Sequence, residues 1–318
     1  MVYLSYIVLA ILVIILSVRL SFYVDELDKK TNLSGAFIGG IMLAAVTSLP
    51  ELFTSLTAVL SLDKPELVQG NVLGSNIFNL CVIGGLVLCS VSGYQRSKVA
   101  NAHKHTLIYS FMMYILAFFA MVNPMNISFG FININIMTVA ILMVYIFNVM
   151  NLRNDEQSSD DEEAKTTLSV RQILLRFALY SIALVSVSIL LTNVTDQLAE
   201  KLQLGTTVAG AIFLGIATSL PELSASISLI RMGNYNASFG NVIGSNLFNF
   251  TILCFGDIIY TKGSIFMDTS EVMNLLVFGT ISTIFVMMLL YFKKNRMIVW
   301  MSSLLILVSY IVSIMISM

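Results

Sequence analysis

The fold class that this sequence predicts is an all-α integral membrane protein, with ten transmembrane helices arranged as two inverted five-helix repeats. Three observations carry that expectation. The chain has 318 residues, of which 57% are hydrophobic and only 11% charged, whereas a soluble domain carries roughly 25% charged residues; the mean hydropathy is +0.89. Its apolar residues fall into runs long enough to cross a bilayer. The peptide Thr-Ser-Leu-Pro-Glu-Leu also occurs twice, at 47–52 and 218–223.

The apolar runs lie at about 3–23, 34–61, 67–91, 105–122, 131–152, 171–192, 205–231, 236–260, 271–292 and 297–317. About 20 apolar residues in a helix span the hydrocarbon core, and an open strand there would leave backbone groups unpaired in lipid, so each run is expected to be a helix. Residues 3–18 lack a preceding basic residue and a small-x-small cleavage site, so they read as a retained first helix. Of the seventeen lysines and arginines, Lys64, Lys201 and Lys262 fall at even-to-odd connections and the other fourteen at odd-to-even ones. By the positive-inside rule this puts the odd-to-even loops in the cytoplasm and both termini outside, in a multi-pass plasma (inner) membrane protein. The repeated peptide sits on the second and seventh spans, five apart, so its copies enter the membrane in opposite senses. The expected organisation is a first repeat over 1–152, a cytoplasmic linker over 153–170, and an inverted second repeat over 171–318. The linker holds six carboxylates between Asn154 and Glu163 and reads as a solvated connection, since nothing there has the glycine-fixed spacing of a calcium loop.

Several function classes are excluded by what the sequence lacks. A net charge of −1 argues against nucleic acid as a partner. Cys81, Cys89 and Cys254 lie in apolar runs and form no metal-ligand cluster. No dinucleotide fingerprint, phosphate-binding loop or nucleophile–base arrangement is present, so no enzyme chemistry and no cofactor are expected. His103 and His105 flank Lys104 at a helix end and read as membrane-surface anchors. Asp257 reads as an interfacial residue, about 12 Å along a helix from Asn249.

The chemistry is concentrated in two duplicated blocks, at 47–79 and 218–249. Glu51 and Glu222 alone among the eighteen acids fall in mid-span, where a carboxylate costs about 2.5–3.5 kcal/mol on insertion scales and marks function. On a helix, Thr47, Ser48 and Ser55 share the face of Glu51, as Thr218, Ser219 and Ser226 share that of Glu222. Pro50 and Pro221 cannot donate a hydrogen bond, which is expected to free the carbonyls of Val46 and Ala217 and loosen those of Thr47 and Thr218. Each block ends in Gly-Asn-Val-Leu/Ile-Gly-Ser-Asn-Ile/Leu-Phe-Asn, at 70–79 and 240–249. This adds the stripe Asn71, Ser75 and Asn79 on the third span and Asn241, Ser245 and Asn249 on the eighth. Glycines 70, 74, 240 and 244 are expected to permit close backbone approach. Carboxylates, hydroxyls, amides and freed carbonyls make an all-oxygen shell, which selects calcium, sodium or another hard cation. Two ionised glutamates balance one divalent or two monovalent cations, and alternating occupancy by the two kinds is antiport.

These residues resemble the sodium/calcium exchangers of the calcium/cation antiporter superfamily, in the prokaryotic form without added regulatory domains. The resemblance rests on the paired T-S-L-P-E and G-N-x-x-G-S-N motifs and on the inverted ten-span layout, so it covers the whole chain. It implies exchange of calcium for sodium by alternating access at four clustered sites, with calcium and sodium ions as substrates. Carried over, Glu51 and Glu222 would bind calcium and Thr47 and Thr218 would contribute backbone oxygens. Ser48, Ser219, Ser75 and Ser245 would line sodium sites, with Ala44 and Gly215 at outer carbonyl positions, and Asn79 and Asn249 would complete the centre. The first and sixth spans would form a mobile pair. Two positions depart from the family's pattern: Val46 and Ala217 stand where a glycine is usual before Thr-Ser, and Asn249 stands where many microbial relatives carry aspartate. The other readings of the residues are a proton-coupled exchanger of calcium or another divalent cation, a channel, and a non-transporting membrane scaffold.

Overall fold

The computed structural model describes residues 2–129, 132–153, 166–202 and 215–317. It is helical nearly throughout, as the need to pair every backbone group inside a bilayer dictates. Helix α1 (Val2–Lys30) is unbroken by glycine or proline. The second span is broken instead. Ser34 caps a short α2 (Gly35–Phe37) by accepting the Phe37 N–H, and a π-helical stretch (Ile38–Leu43) and α3 (Ala44–Thr47) follow. At Ser48 the backbone leaves helical geometry (φ −92°, ψ 5°), and α4 (Leu49–Leu60) continues at a bend of 40° with Pro50 in its first turn, where a missing N–H costs nothing. The Ser48 N–H is shared between the Ala44 and Val46 carbonyls, so the Val46 carbonyl expected to be freed keeps a donor.

Helices α5 (Glu66–Cys89), α6 (Val91–Arg96) and α7 (Ala102–Val122) complete the next two passes. A hairpin of β1 (Asn126–Phe129) and β2 (Ile132–Asn135) then leads into α8 (Ile136–Arg153). The fifth span therefore begins near 136 rather than at 131; the asparagine-rich approach to it pairs as strands and docks on the eighth span instead of entering the helix. The linker lies mostly outside the described residues. Where the description resumes, Thr166 donates its N–H to Glu26, and Lys30 donates to the carbonyls of Thr166 and Leu168 at 2.5 and 2.6 Å, which ties the chain to the end of α1.

The second half comprises α9 (Val170–Lys201), a helical turn over 215–218, α10 (Leu220–Arg231), α11 (Tyr235–Ile259), α12 (Ser270–Tyr291) and α13 (Arg296–Ser317). The break recurs at Ser219 (φ −88°, ψ 8°), with Pro221 in the first turn of α10. Among the described residues eight helices are long and apolar enough to span a membrane, and the bent pair Gly35–Thr47 with Leu49–Leu60 makes a ninth. The tenth expected span, 205–231, is described only from 215 onward.

The packing inverts that of a soluble protein. Helix α11 is the axis: 78% of its apolar window is buried, against 61% for α5 and 22% for α8 and α9. The outer helices turn Leu4, Ile11, Leu175, Ile182, Trp300 and Ile311 outward, toward lipid. Helices α1 and α9 pack side by side along much of their length. The polar residues Asn76, Asn79, Asn241, Ser245, Asn246 and Asn249 are fully enclosed on α5 and α11.

Candidate functional site

The two breaks bring four helix ends to the centre. Helices α4 and α10 start there with their glutamates in the first turn, where the positive end of the helix dipole favours a carboxylate. Glu51 and Glu222 are each 1% exposed. Their surroundings repeat almost atom for atom. Oε1 of Glu51 accepts from Ser75 at 3.4 Å and from Ser219 of the other repeat at 3.3 Å. Oε1 of Glu222 accepts from Ser245 at 3.5 Å and from Ser48 of the other repeat at 3.0 Å. Each carboxylate is thus held by one serine from its own half and one from the opposite half. The second oxygens, Glu51 Oε2 and Glu222 Oε2, are buried with no hydrogen-bond donor among the described residues.

The stripe on each neighbouring span divides its labour by position. Asn71 donates to the Glu51 carbonyl at 3.1 Å and to Ser55 Oγ at 3.0 Å; Asn241 donates to the Glu222 carbonyl at 3.3 Å and to Ser226 Oγ at 3.0 Å. These amides, with Ser55 and Ser226, brace the half-helix that carries the glutamate against its neighbour. Ser75 and Ser245, one turn on, reach the carboxylates. Asn79 and Asn249, a further turn on, donate across the repeat boundary to the side-chain oxygens of Asn246 (3.1 Å) and Asn76 (2.9 Å). Their own Oδ1 atoms are buried without donors among the described residues. Asn76 and Asn246 close the figure, each donating to the other's main-chain carbonyl at 3.2 and 3.0 Å.

The site residues expected from the sequence therefore meet in one enclosure, with two qualifications. Thr47 turns its hydroxyl toward the Leu43 and Ala44 carbonyls, Asn241 Oδ1 and Ser245, and Thr218 donates to the Gly215 carbonyl, while each also lies beside the glutamate of the opposite half, Thr47 by Glu222 and Thr218 by Glu51. The glycine expectation holds for one half. A Cβ at Gly244 would collide with the Gly40 carbonyl, and one at Gly240 would lie 2.9 Å from the Gly40 nitrogen, whereas a Cβ at Gly70 or Gly74 would meet nothing within 4 Å beyond its own helix among the described residues.

Sequence reasoning missed Asn76 and Asn246. Their signal was available, because the asparagine after Gly-Ser recurs in both copies; it lies off the four-residue stripe and was passed over. Two other expectations are corrected. His103 is buried, not a surface anchor: its Nε2 faces Asn236 Oδ1 at 2.9 Å and the Asn236 carbonyl at 3.1 Å, two acceptors that assign the proton to Nε2. Asp257 is 3% exposed rather than interfacial. Its Oδ2 accepts from the Asn135 N–H at 2.9 Å and the Thr138 hydroxyl at 2.6 Å, holding Asn135, which itself caps α8 by accepting the Met137 N–H on Oδ1 at 2.9 Å.

A cage of this kind, two carboxylates and two amide carbonyls facing inward with oxygen atoms that lack donors, attracts a hard cation and offers nothing to an anion. Among the described residues no cluster of three or more His, Cys, Asp or Glu side chains exists, consistent with neutral oxygens completing any shell.

Comparison with known proteins adds the family. The model for "Sodium/calcium exchanger protein" matches residues 1–186 and again 172–318. Inner membrane protein YrbG of Escherichia coli is 28% identical over 263 residues, 80% of this chain and 78% of that protein. The putative antiporter CaxA of Alkalimonas amylolytica is 28% identical over 239 residues, covering 73% and 72%. Among solved structures, the sodium-calcium exchanger NCX_Mj soaked with 2.5 mM Na+ and 10 mM Sr2+ superposes with a TM-score of 0.74 at 22% identity over 99% of each chain. The same exchanger soaked with 2.5 mM Na+ and 0.1 mM Ca2+ gives 0.69 at 25% identity, also over 99% of each chain.

Proposed function

The chain belongs to the sodium/calcium exchanger family, whose members are membrane transporters and not enzymes, and we propose that it exchanges calcium for sodium across the membrane by alternating access. The observation that carries this reading is the set of four buried oxygens without donors among the described residues: Oε2 of Glu51 and Glu222 and Oδ1 of Asn79 and Asn249. An uncompensated buried carboxylate is costly unless a cation supplies what the protein withholds.

In this reading Glu51 and Glu222 bind calcium as a pair. Ser48, Ser75, Ser219 and Ser245 hold the carboxylates when calcium is bound and line sodium positions when it is not. Asn79 and Asn249 complete the centre as neutral ligands, and the carbonyls of Thr47 and Thr218, with those of Ala44 and Gly215, lead toward the two membrane faces. One divalent or two monovalent cations neutralise the two glutamates, so occupancy by one kind excludes the other. The long α1 and α9 pair is the element that slides. The excess of lysine and arginine at odd-to-even connections supports an orientation with both termini outside and 153–170 in the cytoplasm.

A proton-coupled exchange is the second reading. It is favoured by Asn249, which leaves Glu51 and Glu222 as the charged side chains of the cage and makes their protonation a sufficient counter-charge. Radiolabelled calcium uptake into proteoliposomes separates the two. Uptake driven by an outward sodium gradient, and not by potassium or by a pH gradient alone, is the expected result; uptake driven by the pH gradient with sodium inert would replace sodium by the proton.

A further inference from the structure

We propose that Asn76 and Asn246 are positioning residues that fix which atom of Asn249 and Asn79 faces the ion; this rests on the cation-exchange reading above. An asparagine side chain presents either a carbonyl oxygen or an NH2 group, and the two differ little in shape. Only the oxygen can ligate a cation. At the centre of this protein the choice is made by hydrogen bonds from the opposite repeat. Asn76 Oδ1 accepts the Asn249 amide N–H at 2.9 Å, and Asn246 Oδ1 accepts that of Asn79 at 3.1 Å. With their NH2 groups engaged there, Asn249 and Asn79 are left with Oδ1 buried and without a donor among the described residues.

The orienting amides are themselves locked. Asn76 Nδ2 donates to the Asn246 carbonyl at 3.2 Å, and Asn246 Nδ2 donates to the Asn76 carbonyl at 3.0 Å. Rotating the Asn76 amide would set its oxygen against the Asn246 carbonyl and its NH2 against the NH2 of Asn249, which costs two hydrogen bonds and gains none. All four side chains are fully enclosed, so no bulk solvent competes for these groups. The chain thus uses two asparagines that touch no ion to make two others behave as oxygen ligands. The same lock fixes the relative position of α5 and α11 where they cross.

The test is a double-mutant cycle in the full-length protein, reconstituted in proteoliposomes, with calcium KM and kcat for exchange measured alongside equilibrium calcium binding in detergent. Asn76→Leu keeps the side-chain volume and removes the acceptor. It is expected to raise the calcium KM and Kd roughly tenfold, the loss of one oriented ligand, with kcat changed much less. In an Asn249→Ala background, where nothing remains to orient, Asn76→Leu should have no further effect on KM. The mirror cycle with Asn246→Leu and Asn79→Ala should behave alike and serves if the first variant fails to fold. Additive effects in both cycles, or a fall in kcat and melting temperature with KM and Kd unmoved, would make these asparagines purely structural. If the unaltered chain neither binds nor exchanges calcium, the reading of function fails instead, and the two failures are told apart by that first measurement.

Discussion

The two halves of the molecule carry the same chemistry in different packing. Around the glutamates the halves agree residue by residue: Ser48 with Ser219, Asn71 with Asn241, Ser75 with Ser245, each making the matching hydrogen bond. Around them the halves part. Gly240 and Gly244 of α11 meet the backbone of the second span at Gly39 and Gly40, while a Cβ at their counterparts Gly70 and Gly74 of α5 would meet nothing within 4 Å among the described residues. Asp257 anchors the start of α8 from the far end of α11, and the corresponding position of the first half is the apolar Val87. Symmetry is kept where an ion would be held and relaxed where helices merely meet, which is the pattern expected if the ion, and not the packing, constrains both copies.

The largest expected effect tests the symmetric part. Glu51→Gln and Glu222→Gln should each lower calcium exchange by about a hundredfold to a thousandfold or more, since removing one member of a buried charged assembly costs some 3–5 kcal/mol. Uptake that survives in one variant and not in the other would break the equivalence. The asymmetric part is probed next. Gly244→Ala pushes a methyl group into the Gly40 carbonyl and should destabilise the protein by about 1–3 kcal/mol. Gly74→Ala should be neutral or gain up to about 1 kcal/mol from helix propensity. Thermal unfolding in detergent reads both, and equal effects would mean that the two seams are packed alike.

Replacing Asp257 by the residue of the other half sharpens the contrast further. Asp257→Val strands the Asn135 N–H and the Thr138 hydroxyl and should cost about 1–3 kcal/mol with the calcium KM unchanged; a raised KM would move Asp257 into the ion path. The smallest effect concerns the ends of the helices. Lys293 lies over the Tyr94 ring and donates to Ser97, yet burial brings its ammonium down to about 8. A base whose folded value lies below its unfolded one destabilises the folded state at low pH. That penalty is full below about pH 8 and fades as the pH rises toward 10.5. The melting temperature should therefore climb slightly between pH 8 and 10, and Lys293→Met should flatten the climb.

Much of this was legible in the sequence because lipid leaves few choices. Apolar runs fix helices, and the paired Thr-Ser-Leu-Pro-Glu-Leu located the glutamates, but the breaks at Ser48 and Ser219 were not given by it, since Pro50 and Pro221 suit the interior of a kinked span as well as the first turn of a new helix. The glutamates, the serines and Asn79 and Asn249 followed from spacing alone. What spacing could not give was direction. The roles of Asn76 and Asn246 depend on which helix crosses α5 and α11, and the burial of His103 and Asp257 depends on Asn236 and Asn135 arriving from elsewhere in the chain. Charged and polar residues near a span's end look interfacial in sequence until a partner encloses them. The hairpin before α8 escaped notice because alternating Asn and Ile suit both a strand and the start of an apolar run.

The crossed serines have one more consequence, for descent. Ser48 serves Glu222 and Ser219 serves Glu51, so a single five-helix unit cannot furnish its own carboxylate with both of its hydroxyls. A half-length ancestor could have built this enclosure only by pairing with a copy of itself inserted upside down.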